Sequence, residues 1–239
     1  MAELILALDV PDRQAALRLL EGLPRLRWVK VGSILMTAEG PALVRELVDR
    51  GLHVFLDLKW HDIPTTVAGA VTAARRLGAH LVTVHAAGGR EMMEAAGQAA
   101  GNDLAVVGVT VLTSRSTVVG HSSSAHSGNS AKSVEAVVVD LAGAAIQAGL
   151  AGVVCSPLEV PAVRRRIGSG PLIVVPGIRR PGDALGDQAR VAGPADAVRQ
   201  GATHLVVGRP ILTAPDPAGA LDEFLSVLGP ESGVRGPEG

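Results

Sequence analysis

The segment Asp57-Leu58-Lys59-Trp60-His61-Asp62 sets one lysine between two carboxylates. On an extended strand, residues two apart project to the same side, so Asp57 and Lys59 are expected to meet, with Asp62 three residues further on in a loop. Opposite charges within a few ångströms favour the charged form of each group, which keeps Lys59 protonated. A protonated lysine held rigidly in a water-poor pocket is a proton donor. Lys30, from the neighbouring strand, would extend the set into an alternating Lys-Asp-Lys-Asp array. The same pattern suits a structural ion-pair network, and the residues alone leave both readings open. Only Lys30, Lys59 and Lys132 are lysines, against nineteen arginines. In a chain so biased toward arginine, a lysine marks a place where an ammonium is chemically needed.

A second group of residues suits an anion. Gly177 and Gly208 follow the seventh and eighth apolar runs of the chain. In a barrel, backbone N–H groups after strands seven and eight commonly bind phosphate. Arg179 and Arg209 stand beside them and can grip phosphate bidentately, and Gln188 can reach in from the same loop as Arg179. Ordinary turn glycines and surface arginines are the competing reading. His85 closes a buried run and reads as a core hydrogen-bonding residue, and His61, inside the Asp-Lys-Asp segment, reads as structural. Cys155 has no paired general base in sequence, so a nucleophilic role is not expected. His121 and His126 lack a third ligand nearby, so no metal site is expected there.

The elements that must position these groups are short apolar runs: Leu4–Leu8, Trp28–Val31, Val54–Leu58, Leu81–Val84, Ala105–Val111, Gly152–Val154, Leu172–Val175 and His204–Val207. Near-continuous apolarity is the mark of parallel strands covered on both faces. Between them lie stretches of helical period: Arg13–Gly22, Pro41–Arg50, Pro64–Leu77, Arg90–Ala100, Ser133–Ala148, Pro157–Ile167, Pro194–Gln200 and Asp216–Leu228. Gly51, Gly78, Gly149 and Gly201 follow helical stretches, where a left-handed residue ends a helix. Eight β-then-α units in 239 residues predict an α/β fold, a single-domain (β/α)₈ TIM barrel over residues 1–228. An open doubly wound sheet is the rival. The Gly/Pro-rich end, residues 229–239, is expected to be a disordered tail. The Ser-rich stretch 114–133 reads as a mobile loop on the active face.

Hydrophobic residues make up 47% of the chain, enough for a large core, and the net charge is −1. That balance supplies no basic excess for a nucleic-acid backbone, so no nucleic acid is expected as a partner. One cysteine excludes an internal disulfide and fits a reducing compartment. Neither a signal peptide nor an apolar run of about 18 residues is visible, so a cytoplasmic protein with no membrane partner is expected. The residues alone point to a barrel enzyme acting on a small phosphorylated substrate through a lysine that protonates a developing carbanion.

Asp57-Leu58-Lys59-Trp60-His61-Asp62-Ile63-Pro64 resembles the signature of the orotidine 5′-monophosphate decarboxylase family. So do Leu6-Ala7-Leu8-Asp9, Val29-Lys30-Val31-Gly32, Thr83-Val84-His85-Ala86-Ala87-Gly88-Gly89, Val109-Thr110-Val111-Leu112-Thr113-Ser114, Pro176-Gly177-Ile178-Arg179 and Val207-Gly208-Arg209-Pro210-Ile211. These motifs occur in family order across residues 4–212. The resemblance implies decarboxylation of orotidine 5′-monophosphate to UMP and CO₂, the last step of de novo pyrimidine biosynthesis, with neither metal nor organic cofactor. It also implies roles. Asp9 and Lys30 would bind the ribose hydroxyls, and Asp57 would face the substrate carboxylate. Lys59 would protonate C6. Asp62 would complete the array from the other subunit of a homodimer, with Ile63 and Thr66 lining the partner's site. Thr113 would contact the pyrimidine, and Arg179, Gln188, Gly208 and Arg209 would hold the phosphate. The alternatives are a Mg²⁺-dependent sister, a 3-keto-gulonate-6-phosphate decarboxylase or hexulose-phosphate synthase, and a non-catalytic nucleotide-binding barrel. The sisters need an acidic residue where Lys30 stands, and a cation there would repel Mg²⁺.

Overall fold

The computed structural model describes residues 2–112, 133–180 and 192–229. Its strands are β1 (Glu3–Ala7), β2 (Trp28–Gly32), β3 (His53–Trp60), β4 (Leu81–His85), β5 (Ala105–Val109), β6 (Gly152–Val154), β7 (Leu172–Val175) and β8 (His204–Val207). All pair in parallel and in chain order, and β1 closes on β8 through Glu3↔His204 to Leu6↔Val207. That closure excludes the open sheet. The helices are α1 (Arg13–Glu21), α2 (Ser33–Glu39), α3 (Pro41–Asp49), α4 (Pro64–Arg76), α5 (Arg90–Ala100), α6 (Val134–Gln147), α7 (Val160–Ile167), α8 (Pro194–Gln200), α9 (Arg209–Leu212) and α10 (Pro217–Leu228). The chain is the expected (β/α)₈ barrel. No helix among the described residues is long and apolar enough to cross a membrane. The Ser-rich stretch at 114–132 and the tail from 230 lie outside the described residues.

Local chemistry explains the joints. Asp12 accepts the N–H of Ala15 at 2.8 Å to start α1, and Asp216 accepts that of Gly219 at 3.0 Å to start α10. Gly51, Gly78, Gly149 and Gly201 all have φ between 77° and 108°, as helix-ending glycines should. Two expectations change. Pro157–Ile167 is a 3₁₀ turn (Pro157–Glu159) followed by α7, because Ser156 and Glu159 form a capping box and Pro161 has no N–H for a continuous helix. Ser33–Glu39, not among the expected helical stretches, is a helix that begins directly at the end of β2.

The core has two shells. Alternate strand residues point outward to the helices, where Leu6, Val29, Val54 and Val82 join the larger cluster. The others point into the barrel, where Ile5, Phe55, Leu81, Val107, Val174 and Val206 pack on one another. With two phenylalanines, two tryptophans and no tyrosine in the chain, the bottom of the barrel is filled by imidazoles around one indole. Trp28 packs against His53 (4.8 Å between ring centres), His204 (5.4 Å) and His80 (6.0 Å). His80 Nδ1 accepts the Val54 N–H at 3.3 Å, so it serves as a neutral acceptor.

Burial lowers all three imidazoles, and it takes His204 from the usual 6.5 to about 4. The folded chain therefore resists protons that the unfolded chain accepts. The stability this contributes is full above pH 6.5 and is lost as the pH falls toward 4, with His204 alone accounting for about 3 kcal/mol. Urea unfolding at pH 7.5, 6 and 4.5 should show falling stability, with a shallower fall in His204→Leu. An unchanged slope in that variant would refute the assignment to His204.

Candidate active site

The charged groups stand at the C-terminal ends of the strands, where barrels place chemistry. Strand β3 is irregular there. Leu56 pairs with Val82 and Trp60 with Val84, so four steps along β3 match two along β4. Lys59, within this bulge, has φ 53°, a left-handed conformation that costs a non-glycine residue about 1–2 kcal/mol. The expected meeting of Asp57 and Lys59 occurs, but regular strand alternation is not its cause. The bulge turns Lys59 so that its Nζ donates to Asp57 Oδ1 at 2.8 Å. Such strain persists where surroundings over-determine it, as at catalytic sites.

Within one chain the array keeps the expected Lys30–Asp57–Lys59 order but ends on Asp9 in place of Asp62. Lys30 Nζ donates to Asp9 Oδ1 at 3.1 Å and lies 3.7 Å from Asp57 Oδ2, which gives Asp9–Lys30–Asp57–Lys59. The Lys30 and Asp57 side chains are each 11% exposed, and Lys59 is 37% exposed at the mouth. Gly32 leaves room for the array, since a β-carbon there would come within 3.0 Å of Lys30 Nζ. Ion pairs this deep lose much of their hydration, so they are poor devices for stability alone.

Asp62 is not next to Lys59 in its own chain. It is exposed and accepts its neighbour Ile63's N–H at 2.7 Å. Asp62 and Ile63 line a separate open cleft of about 700 Å³ with His61, Gly88 and Met92, and Thr66 is exposed on the first turn of α4. The chain from Trp60, the last residue of β3, to Asp62 carries the second carboxylate away from the ammonium, so the expected Asp-Lys-Asp sandwich is not formed by one chain.

The main cavity, about 780 Å³, is lined by Asp9, Lys30, Asp57 and Lys59 and by Gly177, Arg179, Gly208 and Arg209 after β7 and β8. Phe55, Val109, Val154, Val174 and Val206 add apolar lining. This size and mixture suit a small molecule with polar ends. Gly177 has φ 77°, and the chain that follows is pinned by the Arg179 N–H donating to Ala192 O at 3.1 Å. Arg179 is 7% exposed, and its Nη1 donates to Ile178 O at 2.8 Å. Thr113 and Gln188 lie outside the described residues. Cys155, buried, also lines the cavity, and His61 packs against His85 at 5.5 Å between ring centres.

Sequence reasoning passed over Thr83. It is fully buried on β4, donates to Asp57 Oδ1 at 3.0 Å and accepts the Lys59 N–H at 2.9 Å. The available signal was a hydroxyl residue at an inward position between valines, inside a motif already singled out.

The two sets of charged groups line one cavity at the barrel mouth, and the chain that carries them is similar to known proteins. Residues 2–224 match the model of the orotidine 5′-phosphate decarboxylase / HUMPS family. An orotidine 5′-phosphate decarboxylase of Anaeromyxobacter sp. (strain K) is 53% identical over 215 residues, covering 90% of this chain and 92% of the relative. One from Opitutus terrae is 47% identical, covering 95% and 98%. The crystal structure of orotidine 5′-phosphate decarboxylase from Lactobacillus acidophilus superposes with a TM-score of 0.83 at 34% identity, covering 96% of this chain and all of that one. With nearly the whole barrel matched in sequence and in shape, the chain belongs to the orotidine 5′-phosphate decarboxylase / HUMPS family.

Proposed function

We propose that this chain decarboxylates orotidine 5′-monophosphate to UMP, the last step of pyrimidine biosynthesis, with Lys59 as the proton donor. The observation that carries this reading is the placement of the Asp9–Lys30–Asp57–Lys59 array and the Arg179/Arg209 pair around one cavity. The bond from C6 to the carboxylate breaks, CO₂ leaves, and the electron pair stays on C6. The Lys59 ammonium gives C6 a proton and is reprotonated from solvent. Before the transfer, its positive charge stabilises the developing carbanion at no cost of reorganisation. Asp57, itself paired with Lys30, holds it in place. The balance requires one proton and no redox equivalent.

The phosphate, far from the reacting bond, binds Arg179, Gly208 and Arg209, with Gln188 as a further contact. Its binding energy holds the pyrimidine against the array. Asp9 and Lys30 take the ribose hydroxyls, and Thr113 takes the pyrimidine. The active form is a homodimer in which Asp62, Ile63 and Thr66 complete the partner's site, working in the cytoplasm. A Mg²⁺-dependent sister reaction is disfavoured by Lys30, whose ammonium occupies the space between Asp9 and Asp57 where a cation would have to sit.

The test is spectrophotometric. Purified protein should consume orotidylate at the same rate with and without EDTA. Dependence on added Mg²⁺, or binding of UMP without any decarboxylation, would refute the reading.

A further inference from the structure

We infer that Thr83 is a positioning residue for the decarboxylation, fixing both the direction of the Asp57 carboxylate and the turned backbone of Lys59. Its hydroxyl has one proton. Since the oxygen accepts the Lys59 N–H at 2.9 Å, that proton is free to go to Asp57 Oδ1, 3.0 Å away. Asp57 Oδ1 thus receives two donors, the Thr83 hydroxyl and the Lys59 ammonium at 2.8 Å, and Oδ2 is left toward Lys30. One side chain therefore fixes two members of the array relative to each other.

The register of the sheet shows why a side chain is needed. Pairing between β3 and β4 holds at Leu56↔Val82, breaks, and resumes at Trp60↔Val84, so the break spans Thr83. Within the break, the Lys59 N–H bonds to a side-chain oxygen in place of a strand carbonyl. An unmet N–H would be costly at this partly buried site, and Lys59 is the described non-glycine residue with positive φ. Thr83 stabilises that conformation from the opposite strand, and no solvent competes for it because the residue is fully buried. Valine at 83 would fill the same volume and keep β-branching while removing both bonds.

The inference rests on Lys59 being the proton donor, and the experiment separates the two ideas. Thr83→Val should lower kcat for orotidylate by about 10–100-fold while KM changes less than about threefold. Thr83→Ser retains both bonds and should recover most of the lost kcat. Should Thr83→Val not fold, Thr83→Ala against Thr83→Ser carries the same contrast, Ala at least about tenfold slower in kcat. Wild-type kcat in Thr83→Val or Thr83→Ala would overturn the inference, as would equal losses in Ser and Ala. Retained activity in Lys59→Ala would instead overturn the proton-donor reading beneath it.

Discussion

Replacing Lys59 with alanine should lower kcat for orotidylate by at least about 10⁴-fold while KM rises less than about tenfold. Two contributions are lost together. Positioned proton transfer supplies about 10²–10⁴ in rate. A fixed charge aimed at developing charge supplies about 10²–10³ more. Binding should survive, because the proposed phosphate contacts come from the segments after β7 and β8, whereas Lys59 stands on β3. Asp57 also keeps Thr83 at 3.0 Å and Lys30 at 3.7 Å, so the substrate carboxylate does not meet a wholly uncompensated anion. Lys59→Gly adds a sharper contrast. It relieves the left-handed backbone at φ 53° but provides no ammonium. If the array merely closes the barrel, this variant loses stability and any folded fraction stays active. If Lys59 is the donor, it keeps the fold by circular dichroism and loses the reaction. Near-normal kcat in either variant would refute the assignment.

The barrel was legible because its signals are local. Parallel strands buried on both faces leave apolar runs, and Gly152–Val154, Leu172–Val175 and His204–Val207 begin and end where the runs do. Arg90–Ala100 and Pro194–Gln200 likewise follow their period and their flanking glycines. Ser33–Glu39 escaped because seven residues with only Leu35 fully buried show too little periodicity. The members of the site were legible as residue types at strand ends, but their arrangement was not. The conformation of Lys59 is set by Thr83, 24 residues away on another strand, and no spacing rule on β3 contains that contact. The same limit applies to Asp62. Its three-residue distance from Lys59 suggested proximity, yet the path of the loop decides where the carboxylate goes.

That path gives the second large effect. Asp62→Ala should lower kcat by at least about 10²-fold, although Asp62 does not line the cavity of its own chain. The reason lies in the proposed dimer. Ile63, next to Asp62, is 63% exposed, an apolar side chain left in water beside a carboxylate that does not line its own chain's cavity. Both residues sit at the rim of the open cleft formed with His61, Gly88 and Met92. In a two-fold dimer, a surface that faces its own copy donates the same residues in both directions. Complementation distinguishes this from a role within one chain. When inactive Lys59→Ala and Asp62→Ala proteins are mixed and allowed to exchange, half the dimers are mixed, and each holds one site with both native residues, so activity should return to about a quarter of wild type. If Asp62 acts on the Lys59 of its own chain, every site in the mixture lacks one residue and no activity returns. A mixture that forms mixed dimers yet stays inactive would therefore refute the shared site.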